Sequence, residues 1–161
     1  MVVVPFFSNT PPYAEDVLNT NRNRNINNTG KMDYNCGGYA LGTFNWYMPF
    51  LQGQSNCLEH DSWEEAMELT EVCIHAMQVE FESRNLRVIE SLNELRQEEY
   101  AFAFRISSDG DFHYVRRHTN GRWFHKCGAE SHIQSMTVDE VFSDEWIGRY
   151  DGPLVLFAIH R

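Results

Sequence analysis

The feature that most constrains this chain is the run Tyr100-Ala101-Phe102-Ala103-Phe104-Arg105-Ile106. A strand with one wet face alternates apolar and polar side chains; this run does not, so it reads as a strand buried on both faces. It ends in the turn Ser108-Asp109-Gly110 and needs chain packed above and below it. Phe112 to His118 and Arg122 to Lys126 flank Thr119-Asn120-Gly121, a strong hairpin signal. Arg87-Val88-Ile89 is a short strand candidate, and Leu154 to Ile159 a terminal strand after Gly152-Pro153. Ser62 followed by Glu65 is a capping box opening the clearest helix, with Ala66, Leu69, Cys73, Ala76, Met77 and Phe81 on its buried face. Ser91 with Glu94 heads a brief helix to about Glu99, and Thr137 with Glu140 caps a last short one. Helices first and mostly antiparallel strands later make the class α+β.

The 161 residues fit a single domain, and 42% hydrophobic with 14% aromatic residues argues for a packed core. We divide the chain into a loop-rich arm, residues 1–34, with a short helix near Tyr13 to Leu18, and one domain, residues 35–161. The 13 Lys and Arg against 23 acids, a net charge of −10, leave too little cationic surface for nucleic acid. No stretch approaches the length of a membrane span, and the apolar residues 1–7 lack the basic flank of a signal peptide. The expected location is therefore the cytoplasm, or a target reached without a signal peptide. Cys36, Cys57, Cys73 and Cys127 show no C-x-x-C spacing, which disfavours a zinc site and a disulfide framework and suits a reduced compartment; no cofactor is expected. Cys73 reads as a small buried hydrophobe.

Chemistry enters at Asn35-Cys36-Gly37-Gly38-Tyr39-Ala40-Leu41. A thiol reacts as thiolate, and a helix N-terminus is one of the places that lowers a thiol pKa. From Cys36 the positions Tyr39, Ala40, Thr43, Phe44 and Tyr47 have helical spacing, and Pro49 stops the pattern. Gly37 and Gly38 suit close approach of a substrate or another backbone, or tight packing on a strand.

A cysteine nucleophile needs a histidine to take its proton and a third polar group to fix that ring. Among seven histidines, His113 is the best base, at the start of a strand after a glycine turn, and His125 on the partner strand is the best orienter. Register decides whether they meet. A two-residue Asn120-Gly121 turn sets Arg116 opposite His125 and sends His113 and His125 to opposite faces. A three-residue loop with Gly121 left-handed sets Val115 opposite His125, with His113 its diagonal neighbour on the same face. His118 and His132 are expected as exposed neighbours, and His75 as a surface or satisfied histidine. Trp46, Trp63, Trp123 and Trp146 read as core or cleft-wall aromatics.

Asn-Cys-x-x-Tyr-Ala-Leu at 35–41, Asp-Phe-His-Tyr-Val-Arg-Arg at 111–117 and Asn-Gly-Arg-Trp-Phe-His-Lys-Cys-Gly at 120–128 resemble motifs of a group of bacterial and phage proteins. That group is similar to the NlpC/P60 branch of papain-like cysteine hydrolases. The resemblance implies a papain-like α+β core with the nucleophile helix packed on an antiparallel sheet, Cys36 as nucleophile, His113 as base and His125 as the polar third member. Gly37-Gly38 stands where the group has bulkier residues, and Cys127 where it has proline. In the implied mechanism Cys36 attacks an amide or peptide carbonyl and His113 moves the proton. The Cys36 N–H and a further donor, Asn35 or Tyr34, hold the oxyanion, with Gly37 and Trp123 as candidates for the cleft. The implied substrate is a peptide, with peptidoglycan peptides foremost. An inactive papain-like module that binds a protein or glycan, and a delivered effector acting on a host protein amide, are the alternatives.

Overall fold

The computed structural model describes residues 34–43, 45–50, 57–118, 120–127 and 133–161. Apart from Tyr34, the N-terminal arm and its expected helix lie outside the described residues, as does His132. Among the described residues there are three α-helices: α1 (Cys36–Ala40), α2 (Trp63–Glu80) and α3 (Val138–Val141). Six strands accompany them: β1 (Arg87–Ile89), β2 (Glu99–Ile106), β3 (Phe112–Arg117), β4 (Trp123–Lys126), β5 (Ile133–Met136) and β6 (Val155–His160). The strands form one sheet in the order β1-β6-β2-β3-β4-β5, with antiparallel pairing throughout. The architecture is α+β.

β2 lies inside the sheet, between β3 and β6, and all eight of its residues are buried. Strand alternation sends Tyr100, Phe102, Phe104 and Ile106 to one face, where α1 and α2 cover them through Cys36, Ala40, Ala66, Cys73, Ile74 and Met77. Phe102 stacks on Phe157 of β6 at 4.8 Å. The other face is thin. Ala101, Ala103 and Ala158 leave room there for Trp123, Val141, Trp146 and Tyr150, most of them carried by α3 and the loop behind it.

Arg105, one of two buried charged residues of β2 with Glu99, points to this second face and holds the loop down. It donates to the carbonyls of Gly152 at 2.9 Å, Ser143 at 2.7 Å and Asp144. Its guanidinium also lies 5.5 Å from the Trp146 ring centre. A buried cation with three carbonyl acceptors has the charge-assisted bonds that offset its desolvation.

Several expectations are corrected. α1 ends at Ala40 and does not continue toward Pro49, because Gly42 turns left-handed at φ 71° and the chain folds back. The buried stripe of α2 runs through Thr70 and Ile74, with Leu69 only half-buried. The helix after Ser91 is a single 3-10 turn, Leu92–Glu94, because Leu95 is already extended. β5 was not expected; its Ile133 and Met136 are buried around exposed Gln134 and Ser135, a pattern with no strand alternation to read. His118 is buried beside Phe124, while Trp46 and Trp63 are exposed.

Candidate active site

The site is built around the first residue of α1. Asn35 caps the helix: its side-chain oxygen accepts from the N–H groups of Gly38 and Tyr47, each at 3.0 Å, and its amide donates to the Tyr47 carbonyl at 2.8 Å. One side chain therefore both starts α1 and folds the following segment back over it. A Cβ on Gly38 would lie 1.8 Å from the Asn45 carbonyl oxygen, and one on Gly37 would lie 3.1 Å from the Tyr114 ring. The two glycines make room for the chain itself, against a returning backbone and against a strand. Asn35, the expected oxyanion group, has its amide committed to Tyr47.

Cys36 is 3% exposed. Burial pushes its thiol up to about 12, against the opposing pull of the Tyr114 and Gly37 backbone N–H groups and with a smaller push from the charges of Asp111 and Cys127. The lowered thiol pKa expected from a helix start is corrected here. Five residues make a weak dipole, and the desolvation of a closed position outweighs it.

The hairpin supplies the imidazoles. Gly121 is left-handed at φ 85°, its N–H bonds the His118 carbonyl at 2.9 Å, and the His118 N–H bonds the Arg122 carbonyl at 2.7 Å. Arg116 pairs with Phe124 and Arg117 with Trp123, which is the register of a three-residue loop. Continued along the strands, it sets Val115 across from His125. His113 and His125 meet: Nε2 of His113 lies 2.8 Å from Nδ1 of His125, with the rings nearly perpendicular. One nitrogen donates and the other accepts. Tyr150 stacks on His113 at 5.1 Å and Trp146 meets it edge-on at 6.1 Å. Burial, then the neighbouring His125 and Arg149, hold His113 well below the usual imidazole range. Burial lowers His125 to about 4, with Glu140 opposing. Both rings are neutral at pH 7.

The thiol and the imidazoles approach this hairpin from opposite faces of the sheet. Cys36 packs with the helix-side core, whereas His113 and His125 share the side of Val115 and Trp123. Since the His118 N–H points to β4, alternation points the N–H of Tyr114 the same way, toward Lys126. Yet among the described residues β3–β4 pairing stops at Arg116–Phe124, and the Tyr114 backbone N–H pulls the Cys36 thiol pKa down against its burial. The sulfur lies within electrostatic reach of Asp111, Cys127 and Tyr150.

Tyr34 and Trp123 are both buried in this arrangement. The Tyr34 carbonyl accepts from the buried Lys126 ammonium at 2.7 Å, which also lies 5.0 Å from the Tyr34 ring centre. Trp123 is buried edge-on against Phe142. Cys127 was missed as a site residue: its sulfur lies 3.5 Å from His125 Nδ1. The register contained that signal, because the same three-residue loop that sets Val115 across from His125 sets His113 across from Cys127.

The model of a family described as a domain of unknown function (DUF7689) matches residues 25–152. The chain belongs to this family. The match takes in Cys36, the whole hairpin with His113, His125 and Cys127, and the loop carrying Trp146 and Tyr150, and it stops before β6. No curated protein and no solved structure matches the chain.

Proposed function

We propose that this protein is a cysteine hydrolase of papain-like, NlpC/P60-like build that cleaves an amide or peptide bond, with peptidoglycan peptides as the foremost substrate class. The observation that carries the reading is the 2.8 Å contact between His113 Nε2 and His125 Nδ1 on the hairpin against which the Cys36 helix packs. A general base needs one nitrogen held and the other available. With Nε2 engaged by His125, Nδ1 of His113 is the nitrogen for the thiol proton.

The resting pair is neutral on both sides, a protonated thiol with a pKa of about 12 and an imidazole held below its usual range. Catalysis then runs by general base: the proton leaves Sγ for His113 as the sulfur attacks the carbonyl, and His113 returns it to the leaving amine. The Tyr114 and Gly37 N–H groups stabilise the charge that appears on sulfur. Water then hydrolyses the thioester.

A second reading is favoured by one specific observation, the 3% exposure of Cys36: a papain-like module that holds a protein or glycan partner without turnover. One experiment separates them. An electrophilic peptide probe is mapped to individual cysteines by mass spectrometry, since exposed Cys57 gives an internal background. The hydrolase reading expects Cys36 to be modified in the native chain and spared in His113→Ala. Equal modification of both, or of neither, overturns it. Digestion of peptidoglycan read by mass, against Cys36→Ala, then distinguishes a wall peptide from a protein amide of the kind a delivered effector would attack.

A further inference from the structure

The cysteine spacing gave no reason to expect a metal, yet the hairpin gathers three metal-binding groups from two strands. His125 and Cys127 are two residues apart along one strand direction, so their side chains leave on the same side, and the register brings His113 across to them. One ring nitrogen of each histidine and the Cys127 sulfur lie within 4.8 Å of one another. We propose that His113, His125 and Cys127 form a zinc site, with water as the fourth ligand.

The ligand types and spacings support zinc. Two imidazole nitrogens and a thiolate are a borderline-soft set that suits it, and three protein ligands leave one place open. With Zn–N of about 2.05 Å and Zn–S of about 2.3 Å, a tetrahedral ion sets its nitrogens about 3.4 Å apart and nitrogen and sulfur about 3.6 Å apart. Cys127 Sγ and His125 Nδ1 already stand at 3.5 Å. The two histidine nitrogens are at 2.8 Å as a hydrogen-bonded pair and open by about half an ångström to admit an ion. The Trp146 and Tyr150 rings pack against His113, so the opening falls to His125 and to the half-exposed Cys127. Binding replaces the thiol proton of Cys127 by the ion, releasing one proton per zinc to solvent.

The site has a regulatory consequence that rests on the hydrolase reading. The ion takes Nε2 of His113 and Nδ1 of His125; a neutral His113 ring bound through Nε2 carries its proton on Nδ1, the nitrogen the hydrolase reading uses as base, so His113 is withdrawn from that service.

Cobalt(II) added to the reduced full-length chain tests the site through its colour. The expected result is one ion per chain, with a thiolate-to-cobalt charge-transfer band, tetrahedral visible bands and displacement by zinc. Cys127→Ser, checked for folding by circular dichroism, removes the charge-transfer band. His113→Ala and His125→Ala each weaken binding by at least tenfold, a loss of about 1.4 kcal/mol or more. Cys36→Ala keeps the band. The proposal is overturned by an absent band in the native chain, by a band that survives Cys127→Ser, or by a band lost in Cys36→Ala. Cobalt binding without any effect of zinc on probe labelling of Cys36 leaves the metal site standing and counts against the hydrolase reading alone.

Discussion

On its helix-covered face β2 presents Tyr100, Phe102, Phe104 and Ile106; on the loop-covered face the same strand presents Ala101, Ala103 and Arg105. The first side is filled by stacked aromatic rings and the apolar stripe of α2. The second keeps its strand residues small and fills the space with Trp146, Tyr150 and the two histidines. Large apolar groups from the sheet stabilise by excluding water, and they leave little room for polar side chains to rearrange. Small ones let groups from elsewhere in the chain be set against the strand with defined hydrogen bonds. Apolar packing and the histidine pair are thus divided between two sides of one sheet, with Cys36 on the helix-covered side.

The division is broken most severely on the aromatic side. Phe102→Ala removes a fully buried ring stacked on Phe157 and should cost about 3–5 kcal/mol in chemical denaturation. A loss below about 1 kcal/mol would mean that the helix-covered face does not dominate stability. Next comes Arg105→Met, which keeps the stem but leaves three carbonyls without their donor; about 2–3 kcal/mol is expected. Its distinctive readout is local. Amide exchange should accelerate in residues 143–152 more than in α2, and equal acceleration of both would refute the separation of the faces.

His118 gives a smaller, pH-dependent effect. Its Nε2 is buried with no hydrogen-bond partner among the described residues, and burial lowers its pKa from 6.5 to about 4. The folded chain therefore favours the neutral ring. The associated stability is complete above pH 6.5 and is lost as the pH falls toward 4. His118→Phe should flatten this acid loss by about 1 kcal/mol. Unfolding curves at pH 7 and pH 4.5 that shift equally in both proteins would remove His118 from the account. The smallest effect is expected at Trp63, 60% exposed at the first turn of α2: Trp63→Ala should stay within about 0.5 kcal/mol of the native midpoint.

The parts of this structure that were legible beforehand are those settled by neighbours in sequence. The doubly buried strand was read from seven residues and the caps at Ser62, Ser91 and Thr137 from four each, while the meeting of His113 with His125 was left to turn on whether the loop held two residues or three. The same count, taken one pair further, reaches Cys127. What was not legible comes from distant partners. The helical spacing from Cys36 to Tyr47 loses to Asn35, whose side chain binds Tyr47 twelve residues away. The raised thiol pKa follows from burial among segments that meet only in the folded chain. β5 offered no periodicity at all.

The three-residue loop between His118 and Arg122 has a consequence for how chains of this family can change length. Most surface turns absorb an insertion at little cost. This one behaves as a parity check: adding or removing one residue shifts β4 by one place against β3 and turns His125 and Cys127 away from His113. A change of two residues restores the alternation. Length variation at this turn should therefore be inherited in even steps wherever the histidine pair is kept.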